Sequence, residues 1–190
     1  MVQHPTMRPH DLIVLLYARR RVTDSWSYGE LAGELGLSAS QVFESFRRST
    51  DAGLFNRDRQ AVHARALRDF VLHGARYAFP PVSLPATTGW PTASTHPLLA
   101  TRLRSLSDDS AGRWVWPDPR GPAFGTGLLP LHSCVGRIAA ATSEPLVALY
   151  GQLALFDELR VGGRRGGKIA SELLAEAIEA PVAGPATWAE

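Results

Sequence analysis

Two complete helix-start signals lie close together in residues 26–55, WSYGELAGELGLSASQVFESFRRSTDAGLF, with a glycine between them. In the first, Ser27 is placed to cap a helix, and Glu30 to reach back to the backbone N–H of Ser27. Trp26 before the cap and Leu31 after it can close as a hydrophobic staple. Tyr28, Leu31 and Leu35 then recur on one face, and Gly36 stands where a left-handed residue ends a helix. The same grammar restarts at once: Ser38 caps, Gln41 completes the box, and Leu37 staples onto Val42. The second helix runs to about Ala52 and stops at Gly53. Two capped helices with so short a connection form a helix-turn-helix, for which a helical hairpin of an ordinary all-α protein is the competing arrangement.

The LGLSASQV turn (Leu35–Val42) and the trailing DAGLF (Asp51–Phe55) decide between them. Residues 26–55 resemble the helix-turn-helix of bacterial winged-helix transcriptional regulators of the MarR-like and antitoxin-like kind. The resemblance covers that stretch, and no motif elsewhere has comparable force. It implies a protein that binds double-stranded DNA at a palindromic operator as a homodimer, acting as a repressor or autoregulator. Members of this kind are often antitoxins or autoregulators of a neighbouring operon, so it also implies a toxin or another protein as a further partner, engaged through the C-terminal half.

Within that frame the second helix can be turned about its axis at about 100° per residue. Val42, Phe46 and Ser49 then face inward, and Ser40, Glu44 and Arg47 face nearly opposite, with Arg48 beside them. Arg suits guanine O6/N7 in a major groove, and Ser is permissive. Gln41 could pair with adenine, but it is also the capping partner of Ser38, and the cap is expected to win in the free protein. Phe43 is expected to be half buried. The bland alternative for Glu44, Arg47 and Arg48 is an intrahelical charge set worth ~0.2–0.5 kcal/mol per pair. Ser27 and Tyr28, at the start of the first helix, offer backbone N–H groups to a phosphate.

The flanking segments fit a compact winged domain over residues 1–79. Residues 1–8 read as a loose tail, and Pro9 to about Arg20 as a first helix. Arg19-Arg20-Arg21 at its end suits the negative pole of the helix dipole, with phosphate contact as the alternative. Thr23-Asp24-Ser25 is the connection to the motif. Beyond it, Leu54-Phe55 and Ala61-Val62 flank a polar tip, as a rudimentary wing whose Arg57 and Arg59 would meet DNA backbone or minor groove. A further helix from Val62 to about Leu72 is expected to end at Gly74.

Residues 80–131 hold nine of the 14 prolines, together with Trp90, Trp114 and Trp116. Such a stretch is expected to lie extended over a surface, with the tryptophans in hydrophobic contact and a brief helix from Thr101 to about Ser107. If the protein senses a ligand, its pocket is expected where those tryptophans gather. Residues 132–190 turn helical again: His132 to about Ala141, a helix from Ser143-Glu144-Pro145 broken at Gly162-Gly163, and Ile169 to Ile178. These last helices are apolar enough either to cover the winged domain or to form a dimer interface.

The net charge is only +2, but it is uneven. Residues 1–79 carry eleven arginines against eight acidic residues, which favours the N-terminal part as the anionic partner's site. Cys134 is the only cysteine, which excludes an internal disulfide and a CxxC zinc site. No apolar run reaches the ~18 residues of a membrane span, and a cytoplasmic location without membrane contact is expected. Gly162–Lys168 matches G-x4-G-K, but Ile169 replaces the Ser or Thr that would hold magnesium, so a hinge is the better reading. His132-Ser133-Cys134 places nucleophile and base side by side, where adjacent helical residues diverge by about 100°. No metal ligands, cofactor or catalytic constellation is expected. The fold expected is therefore mainly α: an N-terminal winged helix-turn-helix, a Pro/Trp-rich middle and C-terminal helices. A winged-helix protein–protein adaptor without DNA is the alternative.

Overall fold

The computed structural model describes residues 6–21, 26–104 and 113–180, over which the chain is mainly helical. The Thr23–Ser25 connection and the start of the N-terminal tail fall outside those residues. Helix α1 (Pro9–Arg20) carries an unbroken buried run from Leu12 to Ala18. It packs on α3 (Ala39–Asp51), and α2 (Tyr28–Leu35) packs on both. The residues named above as inward-facing, Val42, Phe46 and Ser49, are buried. Phe46 stacks on Trp26 at 5.1 Å and lies 4.3 Å from Phe55, so one aromatic cluster joins the helix pair to the segment after it.

That segment is a two-stranded antiparallel ribbon, β1 (Phe55–Asn56) and β2 (Ala61–Val62), with Phe55 opposite Val62. A helical stretch follows through α4 (Ala64–Asp69), a π-helical segment (Phe70–Gly74) and α5 (Ala75–Ala78). Gly74 therefore does not end the helix as its sequence position suggests. It sits inside a π turn, where a Cβ would meet the Phe70 ring at 3.1 Å, so the glycine makes room for that ring.

The middle of the chain is not simply an extended covering. β3 (Ser83–Thr92) pairs antiparallel with both β4 (Trp114–Pro117) and β5 (Ala123–Leu128). β4 and β5 pair parallel with each other, so the three strands close on themselves. Pro85 falls at a register shift in β3, where a missing N–H leaves no ladder bond unmade. Closure brings backbones unusually near: a Cβ on Gly89 would lie 2.0 Å from the Trp116 carbonyl oxygen. Between β3 and β4 run a 3-10 turn (Ala93–Thr95) and α6 (Pro97–Arg104), which begins earlier than the short helix read from the sequence.

Short α7 (Val135–Ala139) leads into α8 (Glu144–Val161), in which every residue from Gly151 to Arg160 is buried. α8 contacts α1, α7, α9 (Arg164–Glu179) and the β3 end of the strand unit. Residues 151–160 of α8 are therefore interior, and a single buried cluster among the described residues runs from Leu12 to Ile178. Asp157 links α8 to the strands. Its carboxylate accepts from Thr92 Oγ1 at 2.7 Å, Trp116 Nε1 at 2.6 Å and the Arg160 guanidinium. Gly166 of α9 lies against the Glu158 carboxylate, where a Cβ would collide. Gly162 and Gly166 thus leave room for the Glu158 side chain, whereas Gly163 and Gly167 face open space. No described helix is long and apolar enough to cross a membrane.

Candidate nucleic-acid interface

Both caps form as the sequence implies. Ser27 Oγ accepts from the Glu30 N–H at 3.2 Å, and Glu30 Oε2 accepts from the Ser27 N–H at 2.7 Å. Ser38 Oγ accepts from the Gln41 N–H at 3.1 Å, and Gln41 Oε1 from the Ser38 N–H at 2.9 Å. Gly36 adopts φ +71°, the left-handed closing conformation. These bonds fix the start of α3 and hence the direction of its side chains. They also place a carboxylate at the N-terminus of α2, where Ser27 holds Glu30 below the usual carboxylate range. That charge repels a phosphate from the Ser27–Tyr28 amides. Tyr28 is half buried, and its ring lies edge-on to Phe43 at 5.6 Å.

On α3, Ser38, Ser40 and Arg47 are exposed, and Gln41, Phe43 and Glu44 are half buried. Arg47 donates to Glu44 through Nε at 3.0 Å and Nη2 at 2.8 Å, with Asp51 at 3.9 Å. These bonds pull Glu44 down and push Arg47 up from their ordinary pKa values. The exposed arginine is thus partly neutralised by its own helix.

Arg48 departs from the sequence reading, which set it beside the outward face. It is buried against α1, with Nε and Nη2 donating to the Asp11 carboxylate. Ser45 Oγ donates to the same carboxylate, and Arg48 Nη2 also reaches His10 Nε2 at 3.3 Å. Burial lowers the His10 pKa, in keeping with a neutral ring that accepts from Arg48. One residue of helical rotation from Arg47 is enough to point Arg48 inward, and Asp11 on another helix supplies the partner. The Arg19–Arg21 triplet is likewise used inside the fold. Arg19 donates to the Ala180 carbonyl, Arg20 to Glu144 and Arg21 to Glu34.

The ribbon tip stands next to α3. Arg57 and Arg59 are exposed, and the Arg57 guanidinium lies over the Phe43 ring at 5.5 Å. Arg137, from α7, also reaches the helix pair: its Nη2 donates to the Gly33 carbonyl at 2.7 Å, and its chain lies over Gly36. Sequence reasoning passed over it because nothing local in residues 132–141 marks contact with a turn a hundred positions earlier.

Burial pushes the Cys134 thiol up to about 12, which disfavours the thiolate, while His132 Nδ1 accepts from the Cys134 backbone N–H. Among the described residues no group of three His, Cys, Asp or Glu side chains could hold a metal ion. No family model, curated protein or solved structure matches the chain.

Proposed function

We propose that the N-terminal helices are a winged helix-turn-helix that binds double-stranded DNA sequence-specifically, and that the protein is a dimeric repressor or autoregulator. The observation that carries this reading is the reciprocally capped α2–α3 pair, whose outward α3 edge (Ser40 and Arg47 exposed, Gln41 and Glu44 half buried) lies beside a ribbon tip bearing Arg57 and Arg59. α3 would enter the major groove with Arg47 at a base edge, Gln41 would join it on releasing the Ser38 N–H, and the ribbon arginines would meet phosphates. Arg137 joins them as a phosphate contact at the turn. Arg48 takes no part, because it is buried with Nε and Nη2 donating to Asp11. A symmetric dimer reads half-sites about one helical turn, ~10 bp, or a multiple of it apart.

The adaptor reading draws on a different observation: Glu44 and Asp51 flank Arg47, which leaves the α3 face short of surplus positive charge. Binding to DNA upstream of the protein's own gene, followed across a salt series, separates the two. Tight, site-selective, salt-steep binding that Gln41→Ala with Arg47→Ala abolishes supports the regulator. Flat, weak binding to every fragment leaves the adaptor.

A further inference from the structure

A cavity of about 1000 Å3 opens where β3, α6, α8 and α9 meet. Its wall is largely apolar, with Trp90, Leu98, Val147, Leu155 and Leu173 lining it. That volume is at the upper end of the ~300–1,000 Å3 of small-molecule sites, which pair an apolar wall with a few convergent polar groups. Here Gln152 of α8 is such a group. It is one of the lining residues, it is 3 % exposed, and its Oε1 has no hydrogen-bond partner among the described residues. A buried acceptor left unmatched is unfavourable, and in a native fold it calls for a donor.

The remaining polar wall groups narrow the ligand. Arg20 donates to Glu144 at 2.9 Å, so these two charges answer each other. Thr101 Oγ1 donates to the Pro97 carbonyl at 3.0 Å, and Arg102 has a partner of its own. His96 is buried, with Nδ1 accepting from the Leu98 backbone N–H at 3.3 Å and its ring edge-on to Tyr150 at 4.5 Å. Tyr150 in turn donates to the Pro91 carbonyl. Gln152 Oε1 stands apart from these as an acceptor with nothing to accept. An ionic ligand would lose its hydration against a carbon wall, whereas an uncharged one with an apolar body would bury favourably.

We propose that this cavity binds an uncharged, largely apolar small molecule that donates one hydrogen bond to Gln152. Such binding does not require the N-terminal helices to touch DNA, and its test leaves DNA out.

The full chain is titrated with 2-naphthol, an aromatic body with one hydroxyl donor, and with 2-methoxynaphthalene, which keeps the body and loses the donor. Calorimetry and saturation-transfer NMR read the binding. One saturable site is expected, with the ether weaker by about fivefold or more, as for a lost hydrogen bond. Gln152→Leu is expected to abolish that preference while retaining the ether. Ala148→Trp and Val147→Trp, which put an indole into the cavity, are expected to abolish both. Val147 is 49 % exposed, so its variant adds bulk at the mouth without entering the core and serves if Ala148→Trp does not fold. Absence of saturable 2-naphthol binding would overturn the proposal. So would equal binding of alcohol and ether, or binding untouched by the folded tryptophan variants.

Discussion

Arg48 of α3 and Asp11 of α1 form a two-pronged ion pair inside the N-terminal core. Arg48 Nε donates to Oδ2 at 2.8 Å and Nη2 to Oδ1 at 2.6 Å, with side-chain exposures of 9 % and 0 %. Asp11 also accepts from the Arg8 backbone N–H at 2.7 Å and from Ser45 Oγ at 2.5 Å. The pair holds α3 against the helix beneath it, which a surface arginine could not do.

Removing one member therefore strands the other. Arg48→Ala or Asp11→Ala should lower the unfolding free energy by about 3–5 kcal/mol, because an uncompensated charge is left buried. Urea unfolding measures this. The combined Asp11→Leu, Arg48→Met variant should recover most of the loss, since apolar replacement of both partners is often neutral. An unchanged midpoint in Arg48→Ala would refute the structural role.

The α8–α9 contact makes a separate prediction. A Cβ on Gly166 would overlap the Glu158 carboxylate, itself buried at 2 % exposure. Gly→Ala in a helix interior ordinarily stabilises by up to about 1 kcal/mol. Gly166→Ala should forfeit that gain, because the buried Glu158 carboxylate must swing aside to admit the methyl, and the melting temperature should not rise. Gly167→Ala, one residue on with nothing within 4 Å of its Cβ, should raise it.

His96 supplies a pH dependence. Burial depresses its pKa from 6.5 to about 4, so the folded protein holds it neutral where the unfolded chain takes up a proton. Its contribution is complete above pH 6.5 and is lost as pH falls towards 4, where the folded state also protonates. At 1.36 kcal/mol per unit the loss is about 3 kcal/mol. Burial lowers His10 and His132 too, so the wild-type fall contains all three. His96→Phe should make the fall shallower, as read from urea unfolding at pH 7 and pH 4.5. Parallel curves for wild type and variant would disprove the assignment.

What the sequence revealed of this fold follows the reach of each interaction. The capping boxes at Ser27 and Ser38 act across three residues, and both helix starts lie where they were read. The β1–β2 ribbon was legible for the same reason. Arg48 was misplaced because its partner is 37 positions away. The closed strand unit was hidden by its prolines. Pro85 sits at a register shift, and closure depends on glycine contacts such as Gly89 with Trp116, which no local pattern records. Trp90, Trp114 and Trp116 do share that unit, yet only Trp90 lines the cavity; Trp116 turns its indole N–H to Asp157.

On the proposed DNA interface, the ribbon and α3 should leave different signatures. Arg57 is steered by the Phe43 ring, and the Arg59 backbone N–H is tied to Asn56 Oδ1 at 3.0 Å, so both guanidinium groups project from a fixed turn. Each phosphate neutralised releases counterions and adds about 0.9 to the slope of log affinity against log salt. Arg57→Ala with Arg59→Ala should thus reduce that slope by roughly 2 and weaken operator and scrambled DNA alike. Arg47→Ala or Gln41→Ala should instead relax base preference by about 1–3 kcal/mol at one position. Arg47 must first give up Glu44 and Gln41 its bond to the Ser38 N–H, so both gains fall at the low end of that range. Competition titrations on single-base operator variants at two salt concentrations measure both quantities. If the ribbon variant alters base preference and leaves the slope intact, the ribbon and not α3 is reading the sequence.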